Sequence, residues 1–214
     1  MNSQHLKAIV AACSLCASGL ATANVTFSGF ANEYRVATIN APVANLTVAA
    51  GGFSTSIDGG PSFVSYCVDV YQYLPSFGSS NGSYVVGNAA SFFGDKLGAV
   101  SRLFSGFAGS VDTARESAAF QLALWEIKYE TGSVYDLSSG SASFTTAADV
   151  GTLAASYLTG LAGITSNVQL HVLTSAGHQD VVYATPVPEP STYALMIAGL
   201  IGVGTVARRR QTRR

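Results

Sequence analysis

Charge is the first thing this chain has little of. Asp, Glu, Lys and Arg together make up 11% of the residues, and between Asn24 and Val187 five Lys or Arg stand against eleven Asp or Glu, a net charge of minus six. A mildly acidic stretch without a basic patch has no electrostatic hold on phosphate backbones, which argues against nucleic acid as a partner. Cysteine is scarcer still: Cys13 and Cys16 fall in the first 23 residues, and Cys67 stands alone in the rest. One thiol builds no disulfide framework, and with no second cysteine at ligand spacing a zinc site has no support. Asp58, Asp69, Asp112, Asp136 and Asp149 are scattered without calcium-loop spacing. Gly51-Gly52 lacks the Lys and Ser or Thr of a phosphate loop. No metal and no cofactor is expected. Beyond the leader only His171 and His178 remain as partners for a cysteine hydrolase. One sits in a strand and the other in a hairpin turn, so an enzyme is the least favoured class.

Long apolar runs occur only at the two ends. Residues 1–23 have the three parts of a secretory signal: Lys7 near the start, an apolar run from Ala8 to Leu20, and Ala21-Thr22-Ala23, whose small side chains at Ala21 and Ala23 suit signal peptidase. At the other end, Val187-Pro188-Glu189-Pro190 precedes an uncharged run from Ser191 to Ala207 and an arginine cluster to Arg214. The run is at the short end for a membrane span, which needs about 17–25 residues, and snorkelling by Arg208 helps it suffice. The arginines should stay cytoplasmic, so the body faces outward. This agrees with the leader.

Pro188-Glu189-Pro190, a short glycine-containing span and terminal arginines in that order resemble the PEP-CTERM sorting signal. The resemblance implies recognition by an exosortase, a membrane transpeptidase that cleaves near the proline pair. It also implies passage through the inner membrane to the cell surface or an extracellular, biofilm-type matrix, with exopolysaccharide or a surface amine as possible partners. Three segments follow: a signal peptide at 1–23, an exported body at 24–186, and a sorting signal at 187–214 with its transmembrane helix at 191–207.

The body reads as α+β: an antiparallel, sandwich-like sheet with two or three helices packed on it, between a terminal signal helix and a terminal membrane helix. Val25 to Phe30, Tyr34 to Ile39, Asn45 to Ala49 and Phe63 to Tyr71 are short apolar, aromatic and Thr-rich runs broken by Gly, Ser and Asn, the pattern of strands. Ser76 to Gly82 reads as a polar loop. Asp95 to Phe107 has helical spacing. Thr113 with Glu116 three residues on forms a capping-box pattern opening a second helix that ends at Thr131-Gly132. Ala147 to Leu158 is a third. Strands resume at Asn167 to Leu173 and Gln179 to Ala184.

Two segments of the body carry possible chemistry, Phe63-Val-Ser-Tyr-Cys-Val-Asp-Val70 and Ala118-Ala-Phe-Gln-Leu-Ala-Leu-Trp-Glu-Ile127. On a helical wheel Glu116, Ala123, Glu126 and Glu130 share one arc, expected to be wet. Gln121 lies nearly opposite, where a carboxamide needs partners. In the strand, Ser65, Cys67 and Asp69 alternate with Tyr66, Val68 and Val70. An aromatic-Cys-Val-Asp strand with a later Gln-x-Ala-Leu-Trp helix resembles the internal-thioester domains of bacterial surface adhesins, although Phe120 stands where that family usually has Thr. The resemblance implies that the Cys67 sulfur attacks the Gln121 carbonyl and expels ammonia, leaving a thioester that can acylate an amine. Trp125 would shield the bond, and Asp69 or a histidine would relay protons. The alternative is a packed, unlinked pair: Cys67 as a small buried residue, Gln121 hydrogen-bonding a strand edge beneath the helix.

Overall fold

The computed structural model describes residues 22–187 and, beyond them, helical positions at 195, 196, 198–201 and 203. Nine strands and four helices fall within residues 22–187. Strands β1 (Thr22–Phe30), β2 (Arg35–Ala41), β3 (Leu46–Ala50), β4 (Phe53–Ile57), β5 (Phe63–Cys67) and β6 (Ser80–Asn88) come first. Helices α1 (Ala89–Phe93), α2 (Leu97–Phe107) and α3 (Ala114–Tyr129) follow, then β7 (Ser143–Thr146), α4 (Ala148–Gly160), β8 (Val168–Thr174) and β9 (Val181–Pro186).

The α+β class holds, but the sheet is not sandwich-like. Six strands close into an antiparallel barrel in the order β1-β4-β5-β9-β8-β6, and β3-β2-β7 form a separate three-stranded sheet. Closure removes the barrel's open edges. It depends on β6, which begins at Ser80 inside the stretch that the sequence marks as a polar loop. Alternation is weak there because Ser80, Asn81 and Gly82 carry no apolar side chain. β4 and β7 were also not legible: both are short and rich in Ser and Thr. β1 starts upstream of the expected body boundary: Ala23 is buried and pairs with Tyr84. Residues 1–21 of the expected signal peptide, Ala21 included, lie outside the described residues. Among those residues, no helix is long and apolar enough to cross a membrane. Most of the span expected at 191–207 lies outside them.

Helix α3 begins where local chemistry requires. Thr113 accepts from the Glu116 main-chain N–H, and the Glu116 carboxylate returns to the Thr113 N–H at 3.0 Å. The wet arc expected on this helix does not exist. α3 packs against α4, α2 and strands of both sheets, and every residue from Ser117 to Ile127 is buried, Ala123 and Glu126 included. Residues 131–142 fold back over its end because two glutamates hold them. Glu126 accepts from the Asp136 N–H at 2.7 Å, while Glu130 accepts from the N–H groups of Thr131, Gly132, Ser141 and Ala142.

Burial raises the Glu126 carboxyl from 4.5 to about 7, the Asp136 N–H opposing and the charges of Glu130 and Asp136 adding to the rise. Its second oxygen has no partner among the described residues. The folded chain therefore holds this proton more tightly than the unfolded chain does. The stabilisation is complete below pH 4.5 and is lost as pH climbs to about 7. Full conversion at about 1.4 kcal/mol per pKa unit would be an upper bound; solvent screening reduces the loss to roughly 1–3 kcal/mol. Glu126→Gln should remove this contribution: thermal melts of the wild type fall more steeply between pH 5 and 8 than those of the variant.

Candidate functional site

β5 ends at Cys67 in the middle of the fold. From Ser65 to Val68 the chain is buried on both faces, because the barrel lies on one side and the helices on the other. This resolves the alternation around Cys67: neither face is wet. The register explains what happens at its end. β4 pairs with β5 only up to Phe53 opposite Ser65, and on the other side Cys67 lies opposite Val181 of β9. Past Ser65, the edge that faced β4 has no strand partner.

Helix α3 supplies the missing partner with side chains one turn apart. Ser117 Oγ accepts from the Gly52 N–H at 2.9 Å. Gln121 Oε1 accepts from the Cys67 N–H at 3.0 Å, and Gln121 Nε2 donates to the Cys67 carbonyl at 2.8 Å. The carboxamide thus mimics a neighbouring strand, and buried donor and acceptor are both satisfied. Gly52 must be glycine for this approach, since a Cβ there would sit 2.8 Å from the Tyr66 ring. Gln121 and Cys67 are brought together, but main chain to side chain: the strand-edge bond of the alternative reading is the one present.

The sulfur faces a different glutamine. Cys67 Sγ lies 2.7 Å from Gln179 Oε1, which comes from the turn between β8 and β9. This is the separation of an O–H···O bond, about 2.7–2.8 Å, although sulfur is the larger atom, so thiol and carboxamide are pressed together. Residue 179 is fixed by three further hydrogen bonds, one through its carboxamide and two through its main chain. Its Nε2 donates to the Asp69 carbonyl, the Gln179 N–H donates to Tyr73 O at 3.0 Å, and Tyr84 Oη donates to the Gln179 carbonyl at 2.9 Å. Since only the amino end can give Asp69 a hydrogen, the oxygen is the end turned to sulfur.

The other expected site residues take these places. The Asp69 carboxylate accepts from the Tyr71 N–H at 2.7 Å, closing a tight turn just past β5. Trp125 is buried and stacks on Phe144 of β7, the ring centroids 6.2 Å apart, with Nε1 unpartnered among the described residues. His171 bonds Thr185 at 2.9 Å and stacks on Tyr183, while His178 stacks on Tyr84. Among the described residues, no three His, Cys, Asp or Glu side chains converge as a metal site. Pro188, Glu189 and Pro190 lie outside the described residues.

Burial pushes the Cys67 thiol well above its ordinary value, and the negative Asp69 adds to the shift. The sulfur is therefore a neutral S–H at pH 7, able to donate to Gln179 Oε1. Burial also raises Asp180, with the Ser175 N–H and Lys128 opposing and Asp69 reinforcing. Gln179 was not legible from sequence. Four glutamines lie between residues 24 and 187, at 72, 121, 169 and 179, and only barrel closure selects the one that meets Cys67. Its position two residues past the Ser175-Ala176-Gly177 turn was the one available signal.

Two kinds of likeness accompany this geometry. The PEP-CTERM protein-sorting motif matches residues 186–211, a span that includes Pro188, Glu189 and Pro190. No curated protein matches the chain. Among solved structures, the chain is similar to the N-terminal domain of the Streptococcus pyogenes pilus tip adhesin Cpa, at 15% identity over 79% of this chain and 100% of that one, with a TM-score of 0.47. It is also similar to the N-terminal thioester domain of the fibronectin-binding protein SfbI from Streptococcus pyogenes, at 14% identity over 74% and 95%, TM-score 0.43. The thioester domain of the Staphylococcus aureus TIE protein matches at 13% identity over 76% and 77%, TM-score 0.40.

Proposed function

We propose that this chain is an exported surface protein, sorted through its carboxy-terminal motif, whose body joins Cys67 to Gln179 in an internal thioester and spends it once on an amine of another surface. The observation that carries the chemistry is the Sγ–Oε1 contact of 2.7 Å. In this reading Gln179 is the acyl donor and Gln121 holds the cysteine in place. The sulfur bonds to Gln179 Cδ, the Cδ–Nε2 bond breaks, and Nε2 leaves with the thiol proton as ammonia. An arriving amine reverses the step, forming an amide and returning a hydrogen to sulfur. The bond is consumed in use, so the protein is an adhesive rather than an enzyme.

Delivery rests on the sorting motif at 186–211. Signal peptidase and an exosortase are its processing partners, with a transient stage in the inner membrane before the cell surface. One measurement tests both parts: the intact mass of the protein recovered from the surface of its own cells. The expected mass lacks the leader and the tail beyond the Pro-Glu-Pro site, is lighter by one ammonia, and rises on treatment with methylamine. A full-mass body with a titratable thiol would remove the thioester. A chain still beginning at Met1 in the cytoplasm would remove the delivery.

A further inference from the structure

We propose that the main-chain carbonyl of Asp69 positions the incoming nucleophile and confines this site to primary amines, which deepens, and rests on, the Cys67–Gln179 thioester proposed above. Attack of an amine on the thioester is the expulsion of ammonia run backwards, with the amine in ammonia's place. The arriving nitrogen must therefore occupy the position that Nε2 occupies in this structure. There, one N–H points to the Asp69 carbonyl, and a single other direction remains.

A primary amine fits that place. It gives one hydrogen to the departing sulfur, keeps one for Asp69, and directs its carbon along the free direction. A secondary amine keeps none after the same transfer, so a carbon faces the carbonyl oxygen. An alcohol also keeps none, and two oxygens meet lone pair to lone pair. In both cases an acceptor loses its partner, and sites built around a hydrogen bond reject ligands that lack the hydrogen. Protein or lipid amines are favoured over the hydroxyls of polysaccharide.

The carbonyl is aimed rather than incidental. The N–H and C=O of a trans peptide point in opposite directions. The N–H of this peptide, on Val70, donates to Tyr129 Oη at 3.1 Å, and the same hydroxyl donates to Val68 O at 3.1 Å. The Asp69 side chain closes the turn by accepting from Tyr71 N–H at 2.7 Å. Tyr129 and the Asp69 carboxylate are thus positioning groups that point the Asp69 carbonyl at Gln179. Tyr71 and Tyr73, which follow Asp69 in the chain, are both exposed.

Ethylamine and dimethylamine test this, being isomers of equal mass that differ in one N–H. Each is added to the protein purified from the surface of its own cells, and adduct formation is followed by intact mass against a small acyclic thioester as control. The protein should prefer ethylamine over dimethylamine by roughly tenfold or more beyond the control's own ratio. Tyr129→Phe and Asp69→Ala should bring the ratio back toward the control, while Asp69→Asn, which keeps the Oδ1 acceptor, should retain it. A control-like ratio in the wild type, or a ratio unmoved by both Tyr129→Phe and Asp69→Ala, would overturn the proposal and leave the thioester standing. A wild-type protein with no ammonia deficit would sink both.

Discussion

Gln179→Ala should abolish the ammonia deficit and all methylamine incorporation, as completely as Cys67→Ala does. In the wild type, peptide mapping after methylamine should place the methylamide on residue 179 and leave Gln121 unmodified. The effect is all-or-none because an amide is a poor acyl group and a neutral thiol a weak nucleophile. The reaction proceeds only if the fold supplies proximity, and well-oriented intramolecular reactions reach effective molarities of roughly 10⁵–10⁸ M. Here that orientation comes from the contact at 2.7 Å and from main-chain groups of Asp69, Tyr73 and Gln179 itself. Gln179→Asn is the sharper variant. It keeps the carboxamide but withdraws it by one methylene, and should react no better than the alanine. A methylamide found at residue 121 would return the acyl donor to the helix.

Gln121→Ala should cost stability rather than remove the acyl group. The substitution leaves the buried Cys67 N–H and carbonyl without the partner that each has in the wild type. At about 1–3 kcal/mol for each of the two unsatisfied groups, the expected loss is roughly 2–6 kcal/mol. For a body of this size that lowers the melting temperature by about 5–15 °C. Gln121→Glu should be no rescue, since it keeps the acceptor for the N–H but sets a second oxygen against the Cys67 carbonyl. Any Gln121→Ala protein that does fold still carries Cys67 and Gln179, so a mass deficit in the folded fraction is the expected result. A Gln121→Ala variant as stable as the wild type would mean that the end of β5 is held by something other than this bond.

The difference between Gln121 and Gln179 shows where reading the sequence stops. Gln121 was conspicuous because α3 is a local structure: a capping box three residues apart marks its start, and a polar side chain among alanines and leucines stands out on a wheel. That Gln121 needs partners followed; that its partner is main chain rather than sulfur did not. Glu126 failed differently. Its arc looked wet because a wheel knows nothing of residues 131–142, which fold back and bury it through Asp136.

The sequence alone determined what depends on near neighbours. It marked the sorting tail, whose proline pair, apolar run and arginines follow one another directly. It marked the Thr113–Glu116 cap, the α+β class, and Cys67 as the one unpaired thiol of the body. Tertiary structure alone decided the barrel, the burial of α3 on every side, and the meeting of Cys67 with a side chain 112 residues away. Hydrogen bonds and periodicity within a helix or strand leave a pattern a few residues long. Contacts made by barrel closure depend on which strands become neighbours, and no short stretch of chain records that.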